Sequence, residues 1–450
     1  MENILIDITT LKNAVKHNDC AHIQLLEQET YAPDVAFFFN DLNTKEAQYV
    51  YAHLSPEFAA EVLLELDEEQ REQIMSGLTS KEIAEQIIDN LDTDDAADVL
   101  NELSEEKQEE VLAQITNMEH SSDIVDLLNY DEDTAGGLMA KELIQANANW
   151  NTQTCIAEMR DQAEKVETVY AVYVVDDDEK LLGLLSLKKL LLASADAMVK
   201  DIYDQDIISV KTNTPKEEVA QVFKKYDLVV IPVIDTLGRL VGRITVDDVV
   251  DVMQEEAEKD YQSMAGISGD INENDSIFES LKSRLPWLLV AMVGGVLGSR
   301  VIASHESVIQ LHPEMASFIP MIAAMGGNVG VQSSAIIVQG LANNSIQIKD
   351  ITPRLFKELG TGLLNGLICS LLILAYNLFT CDTLALTYTV SISLMSAIVF
   401  ASVFGTFVPL LLNKYKIDPA LATGPFITTT NDILGAFIYF TIGHLLYSVF

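Results

Sequence analysis

Five long apolar segments occupy the region 281–450, and they constrain the fold of the chain more than any other feature. The segments lie at 285–304, 317–341, 355–380, 385–412 and 421–448. Each is long enough to cross about 30 Å of hydrocarbon as a helix. Lipid offers no hydrogen-bonding partners to the backbone, so a spanning segment must satisfy its own amides and carbonyls, as a helix does. The pattern therefore predicts an all-α transmembrane domain with five spans.

Basic residues are distributed unevenly among the connections of these segments. They precede the first segment, and they separate the second from the third and the fourth from the fifth: Lys282, Arg284, Lys349, Arg354, Lys357, Lys414 and Lys416. By the positive-inside rule, we expect the first half of the chain in the cytoplasm and the C-terminus outside. The expected location is the bacterial inner (cell) membrane. The first residues, MENILIDITT, lack the basic and apolar regions of a cleavable signal peptide.

The acidic residues are concentrated in the first half of the chain. There are 68 acidic and 28 basic residues in total, but from Ser276 onward there are eight of each. The net charge of -40 therefore belongs to residues 1–275. Such a surface disfavours nucleic acid and favours cations, although a merely solvated surface has the same composition. The scattered cysteines predict neither a zinc site nor a disulfide framework: Cys20, Cys155, Cys369 and Cys381.

The second apolar segment contains a glycine-rich polar stretch. Gly326, Gly327 and Gly330 permit irregular backbone, which is tolerated at membrane depth only inside protein or beside a wet cavity. The polar side chains of this stretch would supply oxygen atoms there: Asn328, Gln332, Ser333 and Ser334. Close helix packing through small residues is the alternative interpretation. Glycine combined with amide side chains favours a pore lining.

The fifth segment carries a carboxylate, Asp432, near its middle. Thr428 lies four residues earlier on the same helix face, and Pro425 frees a backbone carbonyl near Gly424. Oxygen ligands of this kind suit hard cations, and Mg2+ in particular. The alternatives are a protonated acid inside a helix bundle and a proton relay, for which we identify no second intramembrane acid or histidine. A homodimer would bring two copies of Asp432 to one axis.

A repeat with a 37-residue offset organises the N-terminal region. Leu54–Glu69 matches Leu91–Glu106, with apolar residues at helical spacing. The repeat predicts an all-α superhelical domain over residues 1–135, with N-caps at Ser55, Asp92 and Ser104. Acids cluster between its helices at Asp94, Asp95 and Asp98, and Glu61 matches them one repeat earlier. Most would form solvated faces or stabilise helix N-termini, and a subset is predicted to bind divalent ions.

A second repeat, with a 59-residue offset, follows. The segment from Val172 matches the segment from Ile231, and each has the pattern strand, turn, strand, helix. The pair resembles tandem CBS domains, an α/β fold that commonly binds adenosine nucleotides, over 136–200 and 201–254. Thr245 and Asp248 match the ribose-binding pattern of that family, which implies ATP as a regulatory ligand. A long acidic connecting (plug) helix is expected over 255–280.

Taken together, the chain resembles the MgtE family of magnesium channels and transporters. The motifs that carry the resemblance are DEDTAGGLM at Asp131–Met139, GGNVGVQSS at Gly326–Ser334 and DPALATGPFITTTND at Asp418–Asp432. The resemblance implies a homodimer whose pore binds Mg2+ at Asp432. It also implies that the path is lined by Gly327, Asn328, Gly424 and Thr428. The Mg2+-sensing ligands that it implies are Glu217, Asp227, Asp248, Asp251, Glu256 and Asp260, together with the N-terminal acids Asp94, Asp95, Asp98 and Glu61.

The resemblance further implies Mg2+ import down its electrochemical gradient. Mg2+ bound to the acidic cytosolic domains would hold the pore shut. No catalytic constellation is visible, so an enzyme is not expected. Two alternatives stay open: a pore of the same architecture for Mn2+, Co2+ or Ni2+, and a membrane-anchored CBS sensor without a pore.

Overall fold

The computed structural model describes residues 15, 23, 27, 30–164, 166, 168–269, 276–342, 345–346, 351–380, 383–422 and 424–449. The segment MENILIDITT, Cys20, Lys349 and Cys381 lie outside the described residues. The chain divides into two compact units, Met1–Met253 and Gln254–Phe450. Each unit is described by itself.

The first unit begins with a helical array. Its helices are α1 (Ala32–Phe39), α2 (Thr44–Tyr51), α3 (Pro56–Leu64), α4 (Glu68–Met75), α5 (Ser80–Gln86), α6 (Thr93–Asn101), α7 (Glu105–Leu112) and α8 (Met118–Leu127). Helices α3 and α4 recur 37 residues later as α6 and α7, so the predicted helical repeat is confirmed. Buried side chains such as Ile83, Leu100 and Ile124 form a continuous core between the helices.

The three predicted N-caps have the correct positions but not the expected bonds. Ser55, Asp92 and Ser104 precede α3, α6 and α7 in extended conformation, and none accepts a capping hydrogen bond with its side chain. At α6, a carboxylate from elsewhere in the chain binds the first amide of the helix. Asn43 and Thr79 do form complete capping boxes.

The rest of the first unit contains two similar α/β halves. The first half has β1 (Ile144–Asn147), α9 (Thr152–Ala163), β2 (Val172–Val175), β3 (Leu181–Leu185) and α10 (Leu187–Leu192). The second half has β4 (Val210–Lys211), α11 (Lys216–Tyr226), β5 (Val230–Ile234), β6 (Leu240–Thr245) and the start of α12 (Val246–Ala265). Each half forms a three-stranded sheet with one parallel and one antiparallel pair. The predicted strand–turn–strand–helix repeat is confirmed.

The predicted connecting helix over 255–280 is not one helix. Helix α12 ends at Ala265, where Gly266 takes a left-handed φ of 76° that favours glycine. The next helix, α13 (Ile277–Ser304), begins with its own capping box between Ser276 and Glu279. The physical cause is local, because an αL glycine and a separate N-cap end one helix and start another.

The second unit is a helix bundle. After α13 come α14 (Glu306–Leu311), α15 (Ile319–Ala342), α16 (Ile351–Thr380), α17 (Leu384–Lys414) and α18 (Gly424–Tyr447). Among the described residues, four helical segments are long and apolar enough to cross a membrane: Ile277–Ser304, Pro313–Ala342, Ile351–Thr380 and Leu384–Lys414. Helix α18, the expected fifth span, is not among them, because the polar run Thr428–Asp432 interrupts its apolar sequence.

The glycine-rich stretch of α15 does not produce irregular backbone. The helix runs unbroken from Ile319 to Ala342, so that expectation was wrong. Gly326, Gly327 and Gly330 instead allow neighbouring helices to come close. A β-carbon on Gly405 of α17 would overlap the backbone of Gly330, and one on Gly330 would overlap the amide of Asn431 of α18. Small residues at membrane helix contacts serve this purpose.

Candidate ion pathway and acidic sensor sites

Asp432 projects from α18 toward the glycine-rich stretch of α15. A β-carbon on Gly327 would lie 3.5 Å from Asp432 Oδ1 and 3.2 Å from Thr428 Cγ2. The Thr428 hydroxyl donates to the Gly424 carbonyl at 3.0 Å. The structure thus brings together four of the predicted pathway positions: Gly327, Gly424, Thr428 and Asp432. The carbonyl at Gly424, expected to be free, is occupied by the Thr428 hydroxyl.

The amide side chains of α15 lie on an open face of the bundle. Asn328 and Gln332, one turn apart, are exposed, whereas Gly326, Gly330 and Ser333 are buried. In a chain with apolar spans, exposed amides at this depth would be costly against lipid. The donor set offered by Asn328, Gln332 and Asp432 consists of oxygen atoms with no sulfur or imidazole, which suits a hard cation.

A second carboxylate lies within the spanning helices, contrary to the sequence analysis. Glu358 is the eighth residue of α16 and accepts hydrogen bonds from the hydroxyls of Ser402 (3.0 Å) and Ser333 (3.3 Å). In the sequence, Glu358 follows Arg354 and Lys357, and a carboxylate beside such basic residues is expected in a connection rather than in a span.

In the first unit, acids from distant positions in the chain meet at the start of α6. Carboxylate oxygens of Asp92, Asp94 and Glu142 lie within 4.8 Å of one another, the one such group of three among the described residues. We call this set, with Asp95, Asp98 and Asp248, the acidic cluster. The sequence predicted Asp94, Asp95, Asp98 and Asp248 as metal ligands, and the structure brings these four together. Asp92 was expected only as a cap, and Glu142 was missed.

Mutual repulsion in the acidic cluster alters its titration. Burial, and then the charge of Asp248, raises the pKa of Asp95 to about 7. Burial and then the charge of Asp95 raise the pKa of Asp94 well above its usual value. Burial likewise raises the pKa of Asp248, although hydrogen bonds from Thr245 oppose this. Burial, and then the charge of Glu132, raises the pKa of Asp98 to about 7 as well, although part of its side chain remains in contact with solvent. Carboxylates that repel in this way gain most from a divalent cation.

The acidic cluster is held in place by contacts that need no cation. The Glu142 carboxylate accepts from the Thr93 amide (3.2 Å) and the Thr93 hydroxyl (2.8 Å). That hydroxyl also accepts from the amide of Lys141 at 2.9 Å. Arg243, almost fully buried on β6, pairs with Asp92 at 3.5 Å. The contact between the helical array and the α/β halves therefore contains both stabilising hydrogen bonds and carboxylates that repel one another.

The remaining predicted sensing residues do not join the acidic cluster. Glu61, Glu217, Asp227 and Asp251 are exposed, and Asp227 is the left-handed C-cap of α11 with a φ of 51°. Glu256 lies 3.7 Å from Lys259 on its own helix. These residues are solvent-facing positions in the described part of the single chain.

Asp260 meets a different acid in the second unit. Burial, and then the negative charge of Asp418, raises the pKa of Asp260. In the same region, a β-carbon on Gly424 would lie 2.6 Å from the Met264 carbonyl, and Gly266 packs against Pro425. The C-terminal end of α12 therefore contacts the start of α18. Asp418 opens the DPALATGP motif, which was the available signal for its role.

A small, mostly apolar crevice lies in the α/β halves beside Arg243. It is lined by Glu142, Leu143, Ile144, Val166, Thr168, Val169, Tyr170, Ala171, Tyr173 and Arg243. The Arg243 guanidinium lies 5.3 Å from the centre of the Tyr170 ring. Arg243 Nη1 and the Tyr173 hydroxyl are buried without a partner among the described residues. Thr245 and Asp248, the predicted ribose ligands, bond to each other at 2.6 Å and are not part of this lining.

Family models, related sequences and a solved structure all match this chain to magnesium transporters of the MgtE family or to their domains. Family models match at residues 319–442 (divalent cation transporter), 30–133 (MgtE intracellular N domain), and 135–196 and 199–255 (CBS domain). The chain is 33% identical to the magnesium transporter MgtE of Bacillus subtilis, over 70% of this chain and 69% of the relative. It is 34% identical to that of Thermus thermophilus, over 70% and 71%. A solved structure, the cytosolic domain of the Mg2+ channel MgtE in complex with ATP, is 31% identical. The match covers 55% of this chain and all of that one, with a TM-score of 0.51.

Proposed function

The chain belongs to the MgtE family of magnesium transporters, and we propose that it imports Mg2+ through a pore built from α15 and α18. The observation that carries the proposal is the position of Asp432 against Gly327, beside the exposed amides of α15. A carboxylate at membrane depth needs water, a partner or a cation. Mg2+ retains most of its waters and uses few carboxylates, which matches this sparse oxygen-only site.

The pore is completed by a second copy of the chain. One chain offers a single Asp432 and leaves Asn328 and Gln332 exposed, and a two-fold dimer would enclose both faces around one axis. In this arrangement α18 is the fifth span and the C-terminus lies outside. An inside-negative potential of 100 mV then drives a divalent ion inward with about 4.6 kcal/mol, twice the value for a single charge.

Cytosolic Mg2+ closes the pore by binding the acid groups on two surfaces. In the acidic cluster, a divalent ion would offset the repulsion among Asp94, Asp95 and Asp248. At the end of α12, a second ion would offset the repulsion between Asp260 and Asp418 and hold α12 against Gly424. A ligand shifts a conformational equilibrium only toward the state that it binds better. Low Mg2+ therefore releases both contacts and opens the pore.

Flux into liposomes tests the pore. Purified protein is reconstituted, an inside-negative potential is applied, and Mg2+ entry is followed with an internal dye. We expect Asp432→Asn to lower the flux at least about tenfold, since it removes the charge that attracts the ion. Glu306→Gln, on an exposed acid of α14, is the matched control and should conduct normally. Competition by Mn2+, Co2+ and Ni2+ ranks the ions.

Two results would decide against this function. Normal Mg2+ flux through the Asp432→Asn variant would contradict the assignment of Asp432 to the pore. A wild-type protein that binds Mg2+ but conducts no divalent ion supports the membrane-anchored sensor instead.

A regulatory adenine nucleotide is a second candidate, favoured by the crevice beside Arg243. A partly exposed aromatic ring and a buried guanidinium group with a free nitrogen suit a base and a phosphate, respectively. Calorimetric titration of the full-length protein with ATP and AMP tests this. We expect Tyr170→Ala to weaken binding at least about fivefold, while Tyr226→Ala, on another exposed tyrosine beside a cation, leaves it unchanged. Equal binding by the two variants contradicts the assignment.

A further inference from the structure

Glu358 ties together three helices of the second unit. Its carboxylate in α16 meets Ser333 of α15 and Ser402 of α17. The two serine hydroxyls lie 3.4 Å apart, and Ser402 Oγ is also 3.2 Å from the Glu358 carbonyl. Both serines are almost fully buried. Polar groups that bond across helices in this way act as specific contacts in a bundle otherwise held by apolar packing.

Ser333, the α15 partner of Glu358, lies on a different face of the helix from the exposed amides. Successive residues of a helix are separated by about 100°, so the direction of Ser333 determines the direction of Gln332. Asn328, one turn before Gln332, shares that exposed face. Any contact that fixes the rotation of Ser333 therefore also fixes where Asn328 and Gln332 point.

The glycine contacts of α15 restrain its rotation weakly. Gly330 meets Gly405, and Gly327 meets Thr428, so these contacts contain little or no side chain on the α15 side. Glycine surfaces permit close approach but offer no projecting group that resists turning. A hydrogen bond, by contrast, is directional. The Glu358–Ser333 contact thus has the geometry to set the helix rotation.

We propose that Glu358 is a positioning residue for the ion pathway, which acts through Ser333 and Ser402 to fix the rotation of α15 and the direction of Asn328 and Gln332. The proposal rests on the proposed pore along α15. It differs from a role in adhesion between helices, which would affect stability but not selectivity. It also differs from a direct role of the negative charge on the ion.

The test compares variants that separate hydrogen bonding from charge. Glu358→Gln removes the charge but retains a side-chain oxygen that can accept from the Ser402 and Ser333 hydroxyls, whereas Glu358→Leu retains no acceptor. The double variant Ser333→Ala/Ser402→Ala removes the partners and leaves the carboxylate. Ser396→Ala is the control, because the hydroxyl of this α17 serine donates to the Ile392 carbonyl of its own helix and, among the described residues, to no other helix. The readout is the ratio of Mg2+ flux to Na+ flux in liposomes, with the melting temperature of each protein measured in detergent.

We expect Glu358→Gln and the Ser396 control to keep the wild-type flux ratio. Glu358→Leu and the double serine variant should lower it at least about fivefold, the equivalent of one lost hydrogen bond. If Glu358→Leu does not fold, the double serine variant carries the test. Equal losses in Glu358→Gln and Glu358→Leu would show that the charge acts directly and overturn the proposal. If the variants change the melting temperature but not the ratio of Mg2+ flux to Na+ flux, Glu358 only holds the helices together and the proposal is overturned. If the wild-type protein conducts no Mg2+, the proposed pore itself is refuted. This outcome differs from a failure of the Glu358 proposal, because it is seen in the wild-type protein before any variant is compared.

Discussion

Glu142 binds the first turn of α6 through Thr93, although 49 residues separate them in the chain. Its carboxylate accepts from both the amide and the hydroxyl of Thr93. Glu142 thereby takes the place of the missing cap at Asp92 and also contributes a carboxylate to the acidic cluster. An anion at a helix N-terminus is stabilised by the helix dipole. One residue therefore both holds the helical array to the α/β halves and adds to the charge that opposes this contact.

The Thr93 contact should set the Mg2+ concentration at which transport stops. Thr93→Val keeps the side-chain shape but removes the donor to Glu142 and the acceptor of the Lys141 amide. Leaving buried polar groups without partners costs about 1–3 kcal/mol. We expect the internal Mg2+ concentration for half-closure to rise at least about fivefold in the flux assay. Thr44→Val, which removes one exposed hydrogen bond to Gln73, is the control, and equal shifts in both variants would contradict the role of Thr93.

The acidic cluster should respond to pH when Mg2+ is absent. Asp95 has a pKa of about 7 in this contact but one near 3.9 when it is exposed. Between these pH values, the state in which the helical array contacts the α/β halves therefore binds more protons than the separated state. The stability of this contact falls as pH rises from about 4 to about 7 and is then level. Limited proteolysis of the full-length protein in Mg2+-free buffer should show better protection of the helical array at pH 6 than at pH 8.

Two conditions should remove that pH dependence. Asp95→Asn takes away the titrating group, and saturating Mg2+ favours its charged form, so each should give similar protection at both pH values. Protection that increases with pH in the wild-type protein would contradict the assignment.

Gly330 should not tolerate a side chain. A β-carbon there would overlap the amide of Asn431 and lie 2.8 Å from Ile427 Cγ2. Overpacking of a tight contact costs about 1–3 kcal/mol or more, so Gly330→Ala should lower both the melting temperature in detergent and the Mg2+ flux. At Gly295 of α13 nothing lies within 4 Å of such a carbon. Gly295→Ala should therefore behave as wild type, and a loss of the same size there would discount the packing explanation.

Removing the charge of Asp418 should make closure easier. Asn at this position still accepts the hydrogen bond from the Ala420 amide, which is 2.8 Å long, but it no longer repels Asp260. We expect Asp418→Asn to close at a severalfold lower internal Mg2+ concentration, as suits a partly exposed charge pair. Glu258→Gln, on an exposed acid of the same helix as Asp260, should leave the closing concentration unchanged. A higher closing concentration in Asp418→Asn would contradict this prediction, because it would show that the attraction of the ion to Asp418 outweighs the repulsion between the two acids.

Features of the fold that repeat locally were predictable. The offset between Leu54–Glu69 and Leu91–Glu106 predicted a repeated helical unit and its helix starts, because apolar periodicity and N-cap residues are encoded within each segment. The α/β repeat was predictable for the same reason. The break after Ala265 was not, since an αL glycine in a charged sequence is a weak signal.

The candidate sites were only half predictable. Asp432 was conspicuous as a carboxylate within a span, and Asp94 and Asp95 as acids beside a helix start, whereas Asp248 was predicted from the family resemblance. Their partners were not visible in the sequence. Glu142, Asp418 and Glu358 are ordinary acids until the fold places them beside Thr93, Asp260 and Ser402.

The sequence by itself determined the acidic first half, the apolar second half, the two repeats and the carboxylate within α18. These depend on composition and on short-range periodicity. Only the tertiary structure decided that the glycines of α15 serve close packing, that Glu142 caps α6, and that Glu358 joins three helices. Such contacts join residues dozens of positions apart, and their geometry is set by the packing of whole elements rather than by any local preference.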